Sequence, residues 1–322
     1  MISNPETGLA AVDAVDIHCH IASEEFFPRS FVDGAVENMA VYLLNRGVPA
    51  KREKIAALFL AKMQDSNCDE LVSQMDAAGI RHSILLLADF TYALRDTPLS
   101  IAEMVEKHRL AMQRHPDRLF VFAGVDPRWG ADGLALFERC VSQYGFHGLK
   151  VYPPCGFSPS NEMMYPYYEM CSQHKIPVLV HIGATAPILN FEFARPIHID
   201  KAARDFPGVN FILAHGSVHY PDECAMLCSH RPNVYLDVSG FEIAELSRLY
   251  DIFSRRINHK ILFGTDWPFF RMQGTQQDFV DRLIKNEGVF PKAMPASDIR
   301  SFFSGNAGIL LGPRLEARLL AG

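Results

Sequence analysis

The sequence has no apolar run longer than a strand: the greasiest stretches, such as 84–88, fall far short of the roughly 20 residues a membrane-spanning helix needs. It lacks an excess of basic charge as well. Against 37 Asp and Glu stand 31 Lys and Arg, a formal net charge of -6, which argues against nucleic acid or an anionic membrane as the main partner. Cysteines number seven, odd, with no Cys-x-x-Cys pair, so they are expected to be reduced thiols in a cytoplasmic setting rather than a disulfide framework. Cys224 and Cys228, four residues apart, share one helical face and read as helix packing. Linkers rich in Gly and Ser, low-complexity tracts and repeats beyond a strand–helix rhythm are all missing. Residues 1–14 lack a basic start and a long apolar core, so no targeting segment is expected there. With 48% hydrophobic residues, 322 residues fill one barrel-sized core and are too few for two typical domains beside it; one domain over 1–322 is expected.

What the chain does have is Asp16-Ile17-His18-Cys19-His20 at the end of an apolar segment. On a strand, side chains two apart point to the same side, so His18 and His20 can hold one metal ion while Cys19 turns the other way into packing. Alone the pair is weak evidence. Four later β-branched, apolar segments, however, each end in a residue useful to a metal or a proton transfer: Gly148 to Tyr152 with Lys150, Pro177 to His181, Val209 to His215, and Ile261 to Asp266. Each has a plain structural alternative, such as Asp266 as a helix cap or His181 and His215 as satisfied core histidines. All of them together in the same register make such a set of coincidences a poor explanation.

Helix-like stretches at 163–174, 197–206, 223–231 and 242–256 separate these strands. With Ser83 to Ala88, Leu119 to Val125 and Val234 to Val238, and with Val15 to His18 first and Ile261 to Gly264 last, the strands number eight. The expected fold is therefore an α/β protein, a (β/α)8 TIM barrel, whose chemistry gathers at the carboxyl ends of the strands. Between the first and second strands lies an excess of chain, about 21–79, too long for an ordinary connection. In it 36–46, 51–64 and 69–78 read as helices, broken at Gly47-Val48-Pro49. This helical insertion is expected to lie over the mouth as a lid or pocket wall, with Phe26, Phe27, Met39, Tyr42 and Arg46 as contacts, or else to serve packing between subunits.

The motif order, from Asp16-Ile17-His18-Cys19-His20 through Gly264-Thr265-Asp266-Trp267-Pro268 to Phe302-Phe303-Ser304-Gly305-Asn306-Ala307, resembles the amidohydrolase superfamily over nearly the whole chain. It is most similar to the branch of aminocarboxymuconate semialdehyde decarboxylase and the resorcylate decarboxylases. The resemblance implies a metal site made by His18, His20 and Asp266, with His181 and His215 available to a second ion. It implies that Asp266 also shuttles protons and that His215 acts as acid or base when one ion is bound. In two-metal members a lysine at the position of Lys150 is carboxylated and bridges the ions, which requires a neutral amine. The cofactor implied is one or two divalent ions, zinc first, with manganese and iron also suited to such ligands.

The expected activity is a metal-dependent hydrolase cleaving an amide, ester, thioester or related carbonyl bond of a small-molecule substrate. A divalent ion serves this by lowering the pKa of water and polarising substrate oxygens. The alternative is a metal-dependent decarboxylase of an aromatic or unsaturated carboxylic acid, and a third reading is a barrel that binds a small molecule without catalysis. Loop residues after strand ends, Tyr152, Arg195 and Trp267, and also Arg271, are candidate substrate contacts, an arginine because it pairs with a carboxylate in two-pronged fashion. Asp237, in Tyr235-Leu236-Asp237-Val238-Ser239-Gly240, is a candidate to orient a ligand histidine or to cap the next helix. A homodimer is what the resemblance implies.

Overall fold

A computed structural model describes residues 13–319, with side chains for all but 271–272 and 313–319, so the side chain of Arg271 lies outside the described residues. Eight parallel strands follow one another in chain order: β1 (Ala14–Cys19), β2 (Ile80–Leu86), β3 (Leu119–Gly124), β4 (Gly148–Val151), β5 (Val178–His181), β6 (Phe211–Ala214), β7 (Val234–Asp237) and β8 (Ile261–Leu262). Although β8 contributes only two ladder residues, the sheet closes on itself. The Ile17 amide donates to the Phe263 carbonyl at 3.0 Å, the Asp266 amide to His18 at 2.9 Å and the His20 amide to Trp267 at 2.8 Å. All eight expected strands are present and form the (β/α)8 barrel.

The strand sequences dictate two cores. Because alternate side chains face opposite sides of a strand, Ile84, Leu86, Phe120, Phe122, Leu179 and Ile212 fill the barrel interior together with Leu310 and Leu311 of the C-terminal helix. Their neighbours Leu85, Val121, Val180 and Leu213 pack outward in the larger cluster under the helices. Pairing of β1 with β2 shifts register between Asp16 and Cys19. This bulge lets Ile17 join the interior apolar cluster while the adjacent His18 also reaches inward, a common way for a strand to re-aim a functional side chain. Cys19 is fully buried on the outer side, with its sulfur 3.9 Å from the Thr265 hydroxyl.

Between β1 and β2 the chain leaves the barrel through a two-stranded antiparallel stem, Ala22–Ser23 against Gln64–Asp65, that the sequence did not announce. Inside the stem lie α1 (Arg29–Asn45) and α2 (Arg52–Ala61). The third helix of the region, α3 (Asp69–Ala78), falls outside it. Leu71, Met75 and Ala78 give α3 a buried face, whereas α2 buries no residue completely. The outer ring continues with α4 (Ile101–Arg114), α5 (Gly130–Ser142), α6 (Tyr165–His174), α7 (Asp200–Asp205), α8 (Pro221–His230), α9 (Leu249–Ser254) and α10 (Gln276–Ile284), and α3 packs against α10 in that ring. The insertion over the mouth is thus α1 and α2, and the helix at 69–78 is part of the barrel. Among the described residues no helix is long and apolar enough to cross a membrane, and all seven cysteines are buried, none of them in a disulfide.

Candidate metal centre

At the carboxyl ends of the strands, two histidines from β1 and its extension face one carboxylate. His18 Nε2 and His20 Nε2 each lie 3.4 Å from Asp266 Oδ1. Their other ring nitrogens are already committed: His18 Nδ1 donates to Asp237 Oδ2 at 2.9 Å, and His20 Nδ1 donates to the Leu86 carbonyl at 2.8 Å. A carboxylate and a carbonyl only accept, so both rings carry their proton on Nδ1 and turn the Nε2 lone pair toward Asp266. Three acceptors facing one another repel unless a cation sits between them, and His18 Nε2 is buried without a hydrogen-bond partner. The residues present therefore fit a divalent ion.

His215 joins from the end of β6. The donor atoms of His18, His215 and Asp266 all lie within 4.8 Å of one another, and the His18 and His215 rings are 4.6 Å apart. Ser239, which the sequence reading passed over, fixes its tautomer. The Ser239 hydroxyl donates to Asp237 Oδ1 in a short contact and so accepts from His215 Nδ1 at 2.9 Å, leaving His215 Nε2 free. Asp237 Oδ1 also accepts from the His215 amide at 3.0 Å. One carboxylate from β7 thereby orients imidazoles from β1 and β6, the arrangement by which outer hydrogen bonds commonly aim metal-binding histidines. Ser239 stands two residues after Asp237 with no periodic signal to mark it in the sequence. Both His215 (φ 56°) and Asp266 (φ 63°) sit on left-handed backbone, a conformation that non-glycine residues hold only when the surroundings impose it.

Two further expected residues share this floor. His181 has a buried Nε2 with no partner, its ring stacked on Tyr152 at 4.3 Å and 4.9 Å from His215. Lys150 is 2% exposed, and its Nζ is likewise buried and unpartnered. Burial, helped by the charge of Lys150, pushes His18 down to about 3, and burial with His215 and Lys150 takes His181 well below its ordinary value. For Lys150, burial lowers the amine to about 8 against the pull of Asp237 and Asp266. Burial works to raise Asp266, but the imidazoles of His20, His18 and His215 gathered around it hold it below the usual carboxylate range. Asp237 is held low by His18 in the same way, also against the effect of burial.

The centre opens into a cavity of about 600 Å³ whose wall is strongly aromatic. Phe27, Phe31 and Phe59 come from the insertion, and Phe90, Tyr152 and Phe269 from the barrel loops. Of the insertion contacts read from sequence, Phe26, Phe27, Met39 and Tyr42 line it, while the Arg46 guanidinium stacks on the Tyr42 ring, 4.3 Å from its centroid. Among the three candidate substrate contacts, Tyr152 lines the cavity, with its hydroxyl 2.7 Å from Thr185 Oγ1. The other two lie elsewhere. Arg195 is largely exposed and pairs with Glu223 at 3.2 Å, and Trp267 is wholly buried against Phe270. Position after a strand end does not by itself aim a side chain inward, since neighbouring residues there point to opposite sides.

A family model described as amidohydrolase matches residues 15–312. Among curated proteins, a 2-keto-4-carboxy-3-hexenedioate hydratase of a Sphingobium species is 25% identical over 225 residues, 58% of this chain and 63% of that protein. The match thus spans less than two thirds of the hydratase's length. A dihydroxybenzoic acid decarboxylase of Polaromonas sp., solved with manganese and 2-nitroresorcinol, superimposes with a TM-score of 0.63 at 20% identity over 94% of this chain and 97% of that one. A 4-oxalomesaconate hydratase of Rhodopseudomonas palustris gives 0.62 at 18% identity, over 96% and 98%. At such identities the two solved structures speak for the fold.

Proposed function

The chain belongs to the amidohydrolase family, and from that membership we propose that it is a lyase using one divalent cation to release carbon dioxide from a small aromatic or unsaturated carboxylic acid. The observation that carries this reading is the single tight group of His18, His215 and Asp266 donor atoms, with His20 against the same carboxylate, under an aromatic wall. These four residues would hold the ion. His215, which the resemblance offered to a second ion, would here join the first. A bound divalent cation supplies positive charge that gathers and polarises substrate oxygens.

The chain's own side chains supply the rest. Lys150 is the one lysine or arginine among the described residues lining the cavity, and its buried, unpartnered amine suits a substrate carboxylate. Asp266, held ionised, can take a proton from a substrate hydroxyl and return it to the carbon that carbon dioxide leaves. The aromatic wall packs a flat substrate and keeps water from competing. Support from relatives is of the same kind: the Polaromonas protein is a decarboxylase, and the two hydratases act at unsaturated acids by name.

The second reading is hydrolysis at a two-metal centre, and Lys150 favours it. An amine brought down to about 8 by burial is in part neutral near neutral pH, as carboxylation requires. Elemental analysis at known protein concentration separates the two readings. It should be followed, with manganese or zinc restored, by a panel of hydroxybenzoates, unsaturated dicarboxylic acids, esters and lactones. Near one ion per chain with carbon dioxide release supports the lyase. Two ions, a Lys150 heavier by one carbon dioxide and ester or lactone cleavage support the hydrolase. A hydrated acid as product would replace decarboxylation by water addition at the same centre.

A further inference from the structure

Helix α4 turns an amphipathic face to the barrel, burying Met104, Val105, His108, Ala111 and Met112. Four of these five are apolar. His108 is 2% exposed, a position where leucine or methionine would pack without leaving a polar atom to satisfy. Its Nδ1 donates to the Met104 carbonyl one turn back, at 2.8 Å. The remaining nitrogen, Nε2, therefore carries a lone pair, and it is buried with no hydrogen-bond partner. His108 also lines the aromatic cavity beside Phe26, whose ring meets it edge-on at 5.1 Å. Buried acceptors are normally paired, so the missing partner points to something that enters the cavity.

We infer that His108 Nε2 is a specificity-determining acceptor for a hydroxyl or amino hydrogen of the substrate, so that the acid taken by this cavity carries an O–H or N–H donor. The inference deepens the lyase reading and rests on it only for the carboxylate. A carbonyl, an ether or a carboxylate offers lone pairs alone and would face Nε2 with repulsion. Burial pushes His108 down to about 4, so near neutral pH the ring is uncharged and does not serve as a cation for the carboxylate. Phe26 meets the ring edge-on, and the Met104 carbonyl, by taking the Nδ1 proton, leaves the lone pair on Nε2.

Phenol and anisole provide the test, because they share an aromatic ring and differ in the donor. Each is titrated into the full-length, metal-free protein while the imidazole nitrogens are followed by NMR, in the wild type, His108→Phe and His108→Gln. Phenol is expected to shift the His108 Nε2 resonance and to bind about ten-fold tighter than anisole. His108→Phe should bring that ratio close to one with anisole affinity kept, and His108→Gln, whose amide oxygen accepts, should retain a preference for phenol. An unmoved Nε2 resonance, or the same ratio in wild type and His108→Phe, overturns the inference. Carbon dioxide release from hydroxylated acids is measured separately. Turnover with an unmoved Nε2 removes His108 alone, and a shifted Nε2 without turnover removes the lyase reading alone.

Discussion

His18 and Asp237, 219 residues apart in the chain, meet across 2.9 Å with both side chains fully buried. That contact does more than join β1 to β7. It places the His18 proton on Nδ1, and the same carboxylate holds the His215 amide and the Ser239 hydroxyl. Replacing Asp237 with Ala should weaken metal binding about 10- to 100-fold, read as a dissociation constant by competition with a chelating dye. An affinity equal to that of the wild type would show that the metal, if bound, does not depend on this orientation.

Removal of a primary donor should be harsher. His18→Ala and Asp266→Asn are each expected to lose bound metal on dialysis and to drop activity to background, because His18 and Asp266 belong to the tightest donor group. Asp266→Asn keeps the size of the side chain and so separates charge from packing. Retention of a full ion per chain by both variants would move the centre elsewhere.

Much of this architecture can be read from the chain because burial leaves a plain mark. Ile261 to Phe263 and Val178 to Val180 are continuous apolar runs that only a strand covered on both faces explains, and the polar residue closing each run lands at the barrel mouth. His18, His20, His215 and Asp266 were legible on that ground. Ser239 was not, since a serine after a strand carries no periodic signal and gains meaning only once Asp237 and His215 stand on either side of it. Arg195 and Trp267 illustrate the converse, correctly placed after strands yet turned to Glu223 and to the packed interior. The stem Ala22–Ser23 with Gln64–Asp65 was hidden because two-residue strands have no pattern to show, and it is what separates the α1–α2 excursion from the ring helix α3.

Acid should destabilise the fold partly through His108. Burial lowers its folded value to about 4 from an ordinary 6.5, so as pH falls below 6.5 the unfolded chain takes up a proton that the native chain refuses. Stability is lost through the window from 6.5 down to about 4 and is flat below it for this group, a loss of about 2 kcal/mol near pH 5. In urea melts at pH 7 and pH 5, His108→Phe should show a smaller fall in midpoint than the wild type. Equal falls in the two proteins would mean that His108 is protonated in the folded state as readily as in the unfolded one.

Gly240 offers a way to perturb His215 without touching any donor. Its φ of +88° is in the region L side chains avoid, and a Cβ built there would stand 2.8 Å from His215 Nδ1, the nitrogen that Ser239 holds. Gly240→Ala should therefore combine a backbone cost of about 1 kcal/mol or more with a displaced imidazole and weaker metal binding. Gly47 is the matched control, since its φ is +74° and a Cβ there meets nothing within 4 Å. Gly47→Ala carries the same backbone cost at the turn after α1, far from any donor in contact terms, and should lower the thermal midpoint while leaving the metal dissociation constant unchanged. If the two alanine variants bind metal alike, the His215 imidazole tolerates displacement, and its place among the ion's ligands is lost.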